Sequence, residues 1–268
     1  MSTRKRRLTY KRAIKDLTLM QDRFMSVVFK NNKQAVARVL QIILGIEDLE
    51  VVEVNTQEAL QNLHGRSVRL DVYAKDRLDN RYDIEIQRSD EGASELRARY
   101  YSSLIDADML KEGQDYKDLH KNYVIFITEH DCFRRGRPIY HIIRKFTDNN
   151  ENFNDGAHII YVNGDNKDSS TALGKLMHDF KCKDPEKMNY KELADSVGSF
   201  KKAREEEIDM RDVFEEFRLE GIEEGAENKM IEIAEKLITR GKATLEEIAE
   251  DTGLSLEQVR ELAKSKAS

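Results

Sequence analysis

Asp71, Glu85 and Gln87 are the residues whose types and spacing point most directly to chemistry. Asp71 lies in Arg69-Leu70-Asp71-Val72-Tyr73, and the other two lie in Tyr82-Asp83-Ile84-Glu85-Ile86-Gln87 after a polar turn. Both stretches alternate apolar and polar residues, the period-two pattern of half-buried strands. Val68, Leu70 and Val72 fall on one face of the first, and Tyr82, Ile84 and Ile86 on one face of the second. Packing both apolar faces on a common core fixes the pairing to within even steps, which puts Asp71 on the same side as Glu85 and Gln87. That register needs an odd-length connection or a bulge around Asp76-Arg77-Leu78-Asp79-Asn80. A three-residue loop with Asn80 near the left-handed region supplies it. Two carboxylates and an amide on one wall make an oxygen-rich site suited to a hard divalent cation such as Mg²⁺.

The neighbouring elements must position this pair. A helix from Asp22 carries Phe24, Val27, Val28 and Phe29 and is broken by Asn31-Asn32. Lys33 to Leu44 continues at helical spacing and ends at Gly45, a C-cap. Leu49 to Thr56 reads as the first strand. After the motif strands, Ala93 to Lys111 reads as a helix with Leu96, Tyr100, Leu104, Ala107 and Leu110 as its apolar stripe. Arg97 and Tyr101 stand four apart and share a face. Tyr123 to Thr128 is a continuous apolar run, as expected of a buried central strand. Further strands are expected at Ile139 to Ile143 and His158 to Val162, and helices at Thr171 to Phe180 and Lys187 to Phe200.

Asp71 followed by Glu85-Ile86-Gln87 resembles the PD-(D/E)XK nuclease superfamily, and most closely the branch of PD-(D/E)XK nuclease family transposases, or recombination-promoting nucleases. Asp22-Arg23-Phe24 and Val28-Phe29-Lys30 before the strands extend the likeness. So do Arg97 to Tyr101, Asp115-Tyr116 and Val124-Ile125-Phe126-Ile127 after them. The resemblance spans the N-terminal half of the chain. It implies an α/β fold, a restriction-endonuclease-like mixed sheet flanked by helices, here with a helical C-terminal extension. It also implies a Mg²⁺-dependent DNA endonuclease, with Mn²⁺ or another divalent cation as a substitute. Asp71, Glu85 and the Ile86 carbonyl would hold the metal, and Gln87 would complete the catalytic set. The superfamily usually has Pro where Leu70 stands and Lys where Gln87 stands, although Gln is usual in this branch. A neutral Gln can orient a water but cannot take its proton. Asp22 matches a first-helix acid that often completes the metal site; its other reading is an acid that favours the helix dipole. Arg97 and Tyr101 would position substrate, through a phosphate contact and an oriented oxygen. Alternatively, the Arg pairs a nearby acid and the Tyr packs at the edge of the core.

The chain has 268 residues, 39% hydrophobic and 36% charged, with two Pro and no Trp. This suits a helix-rich protein with one sizeable domain and an appendage. No apolar run reaches the ~20 residues of a membrane span, and no secretion signal is read, so a cytoplasmic location is expected. Cys132 and Cys182 are expected as thiols. The net charge of −6 hides an asymmetry: residues 1–15 carry seven Lys or Arg and no acid, while from Arg204 onward 19 acids face 10 bases. DNA contacts would come from the basic end and the strand region, not from the acidic tail. Arg134, Arg135 and Arg137 read as a charged hairpin tip, with a DNA-facing loop as the other option.

The expected organisation is a basic arm at 1–15, the nuclease-like domain at 16–200, a charged helix at 201–240 interrupted by Gly221 and Gly225, and a small helical pair at 241–268. In that pair Ala249, Gly253 and Val259 stand at helix-turn-helix spacing, and Ser255 with Gln258 forms a capping box. Its acidic surface favours protein contacts over DNA, so a homodimer or protein partner through residues 201–268 is expected. The alternative to an active nuclease is a weak or inactive nuclease-fold protein that works through these helices.

Overall fold

An apolar run with no polar interruption needs cover on both faces, and Asn122–Thr128 obtains it in the middle of a six-stranded sheet. In this computed structural model the described residues are 12–62, 65–88, 90–206, 230–231, 233–240 and 243–266. They fall into two units, Met1–Glu206 and Glu207–Ser268.

The first unit runs α1 (Asp22–Phe29), α2 (Lys33–Leu44), β1 (Val51–Leu60), β2 (Val68–Asp76), β3 (Arg81–Gln87), α3 (Glu95–Met109), β4 (Asn122–Thr128), β5 (Ile139–Ile142), β6 (Ala157–Asn163), α4 (Ala172–Lys181) and α5 (Lys191–Glu206). The sheet order is β1-β2-β3-β4-β6-β5. β1, β2 and β3 form an antiparallel meander, β3, β4 and β6 are parallel, and β5 closes the far edge antiparallel to β6. The chain is thus α/β with a mixed sheet and flanking helices. One core joins Val72, Ile84, Ile86, Ile125 and Val162 to Phe24, Leu40, Phe180 and Val197 of α1, α2, α4 and α5. The second joins Leu70, Tyr73, Val124, Phe126 and Tyr161 to Ala98, Tyr101 and Ile105 of α3. Asn32 caps α2 by accepting the Ala35 N–H at 3.1 Å, and Gly45 ends it at φ 68°. Glycine takes that left-handed conformation without a Cβ penalty. Among the described residues no helix is long and apolar enough to cross a membrane. Cys132 and Cys182 form no disulfide.

Several expectations change. β1 begins two residues later than expected and runs on to Leu60. Val27 is exposed while Phe24, Val28 and Phe29 are buried. The buried face of α3 is Ala98, Tyr101, Ser102 and Ile105, and Leu96 of the expected stripe is 67% exposed. Ala98 and Ser102 let α3 lie close against the sheet beside Tyr101 and Ile105, while Tyr100 and Leu104 pack at the margin of that core. The β2–β3 hairpin does have a three-residue loop, closed by Asp76 N–H to the Asn80 carbonyl at 3.2 Å. The left-handed residue is Asp79 (φ 63°), not Asn80, because the third loop position carries that conformation in such hairpins. α5 spans Lys191–Glu206 rather than 187–200. The Arg134–Arg137 segment is exposed and is held by Asp131, which accepts the Phe133 and Gly136 N–H groups and the Tyr140 hydroxyl.

The second unit has α6 (Leu245–Thr252) and α7 (Leu256–Lys266), joined at Gly253 with φ 71°. Ile248, Leu254 and Val259 form its core with Ala234. Thr244 and Glu247 cap α6 reciprocally, and Ser255 and Gln258 cap α7 in the same way. The basic arm up to residue 11, and residues 207–229 with Phe214, Phe217, Gly221 and Gly225, lie outside the described residues.

Candidate active site

The strand alternation that aligned Asp71 with Glu85 holds in β3 and breaks in β2. In β3, Tyr82, Ile84 and Ile86 pack in the first core, while Asp83 and Glu85 point to the α3 side beside Val124 and Phe126 of β4. In β2, Val68 and Leu70 lie in the second core, whereas Val72 and Ala74 lie in the first. The expectation that Val68, Leu70 and Val72 share one face is therefore wrong, and Asp71 sits at the break. The β2–β3 ladder stops at Val72↔Ile84, one pair short of Asp71 and Glu85. The opposing strand is irregular at the same level: Gln57 of β1, between the Thr56↔Val72 and Glu58↔Leu70 pairs, has φ 57°.

Where the ladder ends, side chains take over from main-chain carbonyls. The Asp71 N–H donates to Glu85 Oε1 at 2.9 Å, and the Ile86 N–H donates to Asp71 Oδ2 at 3.3 Å. Each carboxylate is thus held by an amide of the opposite strand. The Ile86 main chain lies against Asp71, and its side chain belongs to the core. On the α3 side, Arg97 Nη2 donates to Glu85 Oε2 at 2.7 Å and Nη1 to the Gly92 carbonyl at 2.9 Å. Its guanidinium lies 4.8 Å from the Tyr101 ring centre, so the pair shares a helix face as expected. Arg97 pairs an acid and Tyr101 is buried at the core edge. Gln87 Nε2 reaches Glu85 Oε2 at 3.5 Å. On the α1 side, Gln57 Nε2 lies 3.3 Å from Asp22 Oδ1, 2.9 Å from Ser26 Oγ and 3.4 Å from Asp71 Oδ1. The Gln57 amide therefore touches both Asp22 and Asp71, whose carboxyls also interact directly.

The electrostatics are those of crowded acids. Burial, then the charges of Glu85 and Asp22, push the Asp71 carboxyl up to about 8. Burial also raises Glu85, with Arg97 pulling it back down. Asp83, which shares the polar face of β3 with Glu85, is fully buried, and among the described residues neither of its oxygens has a hydrogen-bond partner. Burial, Glu85 and Asp71 hold its carboxyl well above the usual range. Arg97 is held charged against burial by Glu85 and Tyr101. Burial pushes the Tyr101 hydroxyl up to about 12.

This donor set fits a hard divalent cation. Asp71 and Glu85 stand together, with Asp83 and Asp22 adding charge. Asp71 Oδ1, Asp71 Oδ2 and Glu85 Oε1 each accept one hydrogen bond and keep a second lone pair. Among the described residues no three His, Cys, Asp or Glu side chains close on one point. Such a site suits a divalent cation that keeps several waters and takes one or two carboxylates.

Three positions escaped the sequence reading. Gln57 and Ser26 carry no signal, because a left-handed residue inside a strand leaves no trace in periodicity. Gly92 did carry one, a glycine just before a helix and close to a motif strand. A Cβ there would stand 1.8 Å from Gln87 Oε1, so the missing side chain makes room for the Gln87 amide.

A model of the family described as PD-(D/E)XK nuclease family transposase matches residues 27–211, beginning after Asp22 and running through the whole sheet. No curated protein and no solved structure matches the chain.

Proposed function

Since the chain belongs to the PD-(D/E)XK nuclease family transposases, we propose that it is a divalent-cation-dependent endonuclease that hydrolyses DNA phosphodiesters. Mg²⁺ is the preferred ion, Mn²⁺ a substitute, and recombination or transposon-related DNA processing the setting. The observation that carries this reading is the reciprocal lock of Asp71 and Glu85 across the open end of the β2–β3 ladder. A lock of this kind fixes two carboxylates at one place before any ligand arrives, the preorganisation that metal-assisted hydrolysis needs.

In this reading Asp71 and Glu85, with the Ile86 main chain, hold the cation, and Asp22 adds charge from α1. A cation held there would supply a water of lowered pKa and offset the charge that builds on the phosphate. Gln87, beside Glu85 and cradled by Gly92, orients the attacking water but takes no proton. Arg97 supplies the positive charge that Gln87 lacks, at 2.7 Å from Glu85. It sets the orientation of Glu85 and lies within reach of a phosphate, with Tyr101 stacked beneath it. The basic arm adds phosphate contacts, and residues 201–268 serve a second copy or a protein partner.

Plasmid nicking with and without Mg²⁺, for the wild type and Asp71→Ala, tests the proposal. Nicking that needs the cation and vanishes in the variant supports it; nicking that survives Asp71→Ala, or is absent with every divalent metal, rejects it. One observation favours a second reading. Arg97 on Glu85 and Gln57 between Asp22 and Asp71 already give these three acids partners without a metal. This suits a nuclease-fold interaction protein acting through its C-terminal helices, which would give no calorimetric signal with Mg²⁺ or Mn²⁺.

A further inference from the structure

Gln57 is an uncommon residue for its place. It stands inside β1 yet has φ 57°, a conformation that L-residues other than Asn, Asp and His seldom adopt. The distortion aims its side chain at three oxygens: Asp22 Oδ1, Ser26 Oγ and Asp71 Oδ1, at 2.9 to 3.4 Å from Nε2. Ser26 is itself oriented, because its hydroxyl donates to Asp22 Oδ1 at 3.3 Å. That leaves the Ser26 oxygen as an acceptor. Two carboxylates and an accepting hydroxyl converge on one spot, and only a donor or a cation satisfies all three. The NH₂ end of the amide fills that spot and bridges α1 to β2.

We propose that Gln57 is a further cation-binding residue of this site and switches the end of its amide with the site's state. The inference rests on the metal-dependent reading above. Without a cation, the NH₂ group stands in for one and bridges Asp22, Ser26 and Asp71. When a cation arrives between these acids, a half-turn about the terminal torsion presents Oε1 in place of Nε2. Amide oxygen and nitrogen are nearly equal in size, and this torsion is broad and roughly two-fold. The carbonyl oxygen then joins Asp71 as a neutral, hard ligand of the kind that Mg²⁺ and Mn²⁺ accept. The amide explains how Asp22, one helix away, is tied to Asp71, and why β1 gives up a regular pair at the level where β2 also breaks.

The test uses the full chain, MnCl₂ and three variants. Gln57→Asn tolerates the left-handed backbone and keeps the amide, but is one methylene too short to reach Asp22 and Asp71. Gln57→Gly takes the conformation freely and removes the side chain. Gln57→Glu keeps the reach and offers only oxygen. Calorimetric titration should show Mn²⁺ binding weakened about ten- to a hundredfold in Gln57→Asn and Gln57→Gly, and retained or tightened in Gln57→Glu. Water-proton relaxation of the bound Mn²⁺ should rise in the first two, as a water replaces the lost carbonyl. A residue that only braces the fold would lose affinity in step with thermal stability, with no rescue by Glu and no added water. Asn or Gly variants that bind Mn²⁺ as tightly as the wild type, or a Glu variant that binds more weakly, would overturn the proposal while leaving the nuclease reading intact. A wild type that binds no Mn²⁺ overturns both.

Discussion

Replacing Arg97 with methionine removes the positive charge paired with the buried Glu85, while a long side chain still covers Tyr101. Breaking a buried ion pair from one side costs about 3–5 kcal/mol. Two features of this pair reduce the figure. The Arg97 side chain is 31% exposed, so water reaches part of the vacancy, and Glu85 can neutralise itself by taking a proton. A loss of about 2–3 kcal/mol at pH 8 is expected, which lowers the urea midpoint by about 1 M for a slope of about 2 kcal/mol per M. The sign of the pH dependence follows. Arg97 attracts only the ionised Glu85, and burial already raises that carboxyl. Without Arg97 it rises further, so the folded variant holds a proton that the unfolded chain releases. Stability of the variant then falls as pH rises, and its deficit against the wild type should be smaller at pH 5 than at pH 8. Adding Glu85→Gln should recover much of the loss, and the double-mutant cycle reports the pair directly. Urea unfolding at the two pH values checks this. Equal midpoints for wild type and Arg97→Met at pH 8, or an equal deficit at both pH values, would refute the reasoning.

Three further outcomes are expected. Asp71, pushed up to about 8, holds a proton at neutral pH that a cation must expel. Apparent Mg²⁺ or Mn²⁺ affinity should therefore rise with pH up to about 8, with proton release visible as calorimetric heats that change with the buffer. Gly92→Ala should push the Gln87 amide aside without disturbing the core. Cleavage should then fall about ten- to a hundredfold, with the thermal midpoint nearly unchanged. Asp179, fully buried in α4, accepts the Asn189 and Tyr190 N–H groups at 2.8 Å. Asp179→Ala strands both amides and should cost about 2–4 kcal/mol in chemical unfolding.

The strands were legible where they are regular. β3 is paired on both sides throughout the stretch from Arg81 to Ile84, so its period-two pattern survives folding, and Ile84 and Ile86 lie where alternation put them. β4 was legible because burial on both faces leaves an unbroken apolar run. β2 was not, because its alternation breaks at Asp71, and a break at one residue cannot be seen in side-chain order alone. The face carrying Asp83 and Glu85 is polar in sequence, yet α3 roofs it with Ala98, Tyr101 and Ile105, a cover that strand alternation does not reveal. The same helix misled a count of large apolar residues, since Ala98 and Ser102 share its contact face with Tyr101 and Ile105 while Leu96 is exposed. Asp22, Arg97 and Tyr101 reached the site neighbourhood as the motif order suggested. Gln57 did not announce itself, since its place depends on a backbone angle.

The crossed bonds between Asp71 and Glu85 also make this corner all-or-none. Any breathing that parts β2 from β3 at the open end must break Asp71 N–H···Oε1 and Ile86 N–H···Oδ2 together, because each strand supplies one donor and one acceptor. The two amides should therefore exchange their hydrogens through one shared opening, with matching protection. A corner built in this way is held shut by the two acids that would carry the chemistry, so replacing either with alanine unfastens this end of the β2–β3 ladder while it removes a charge.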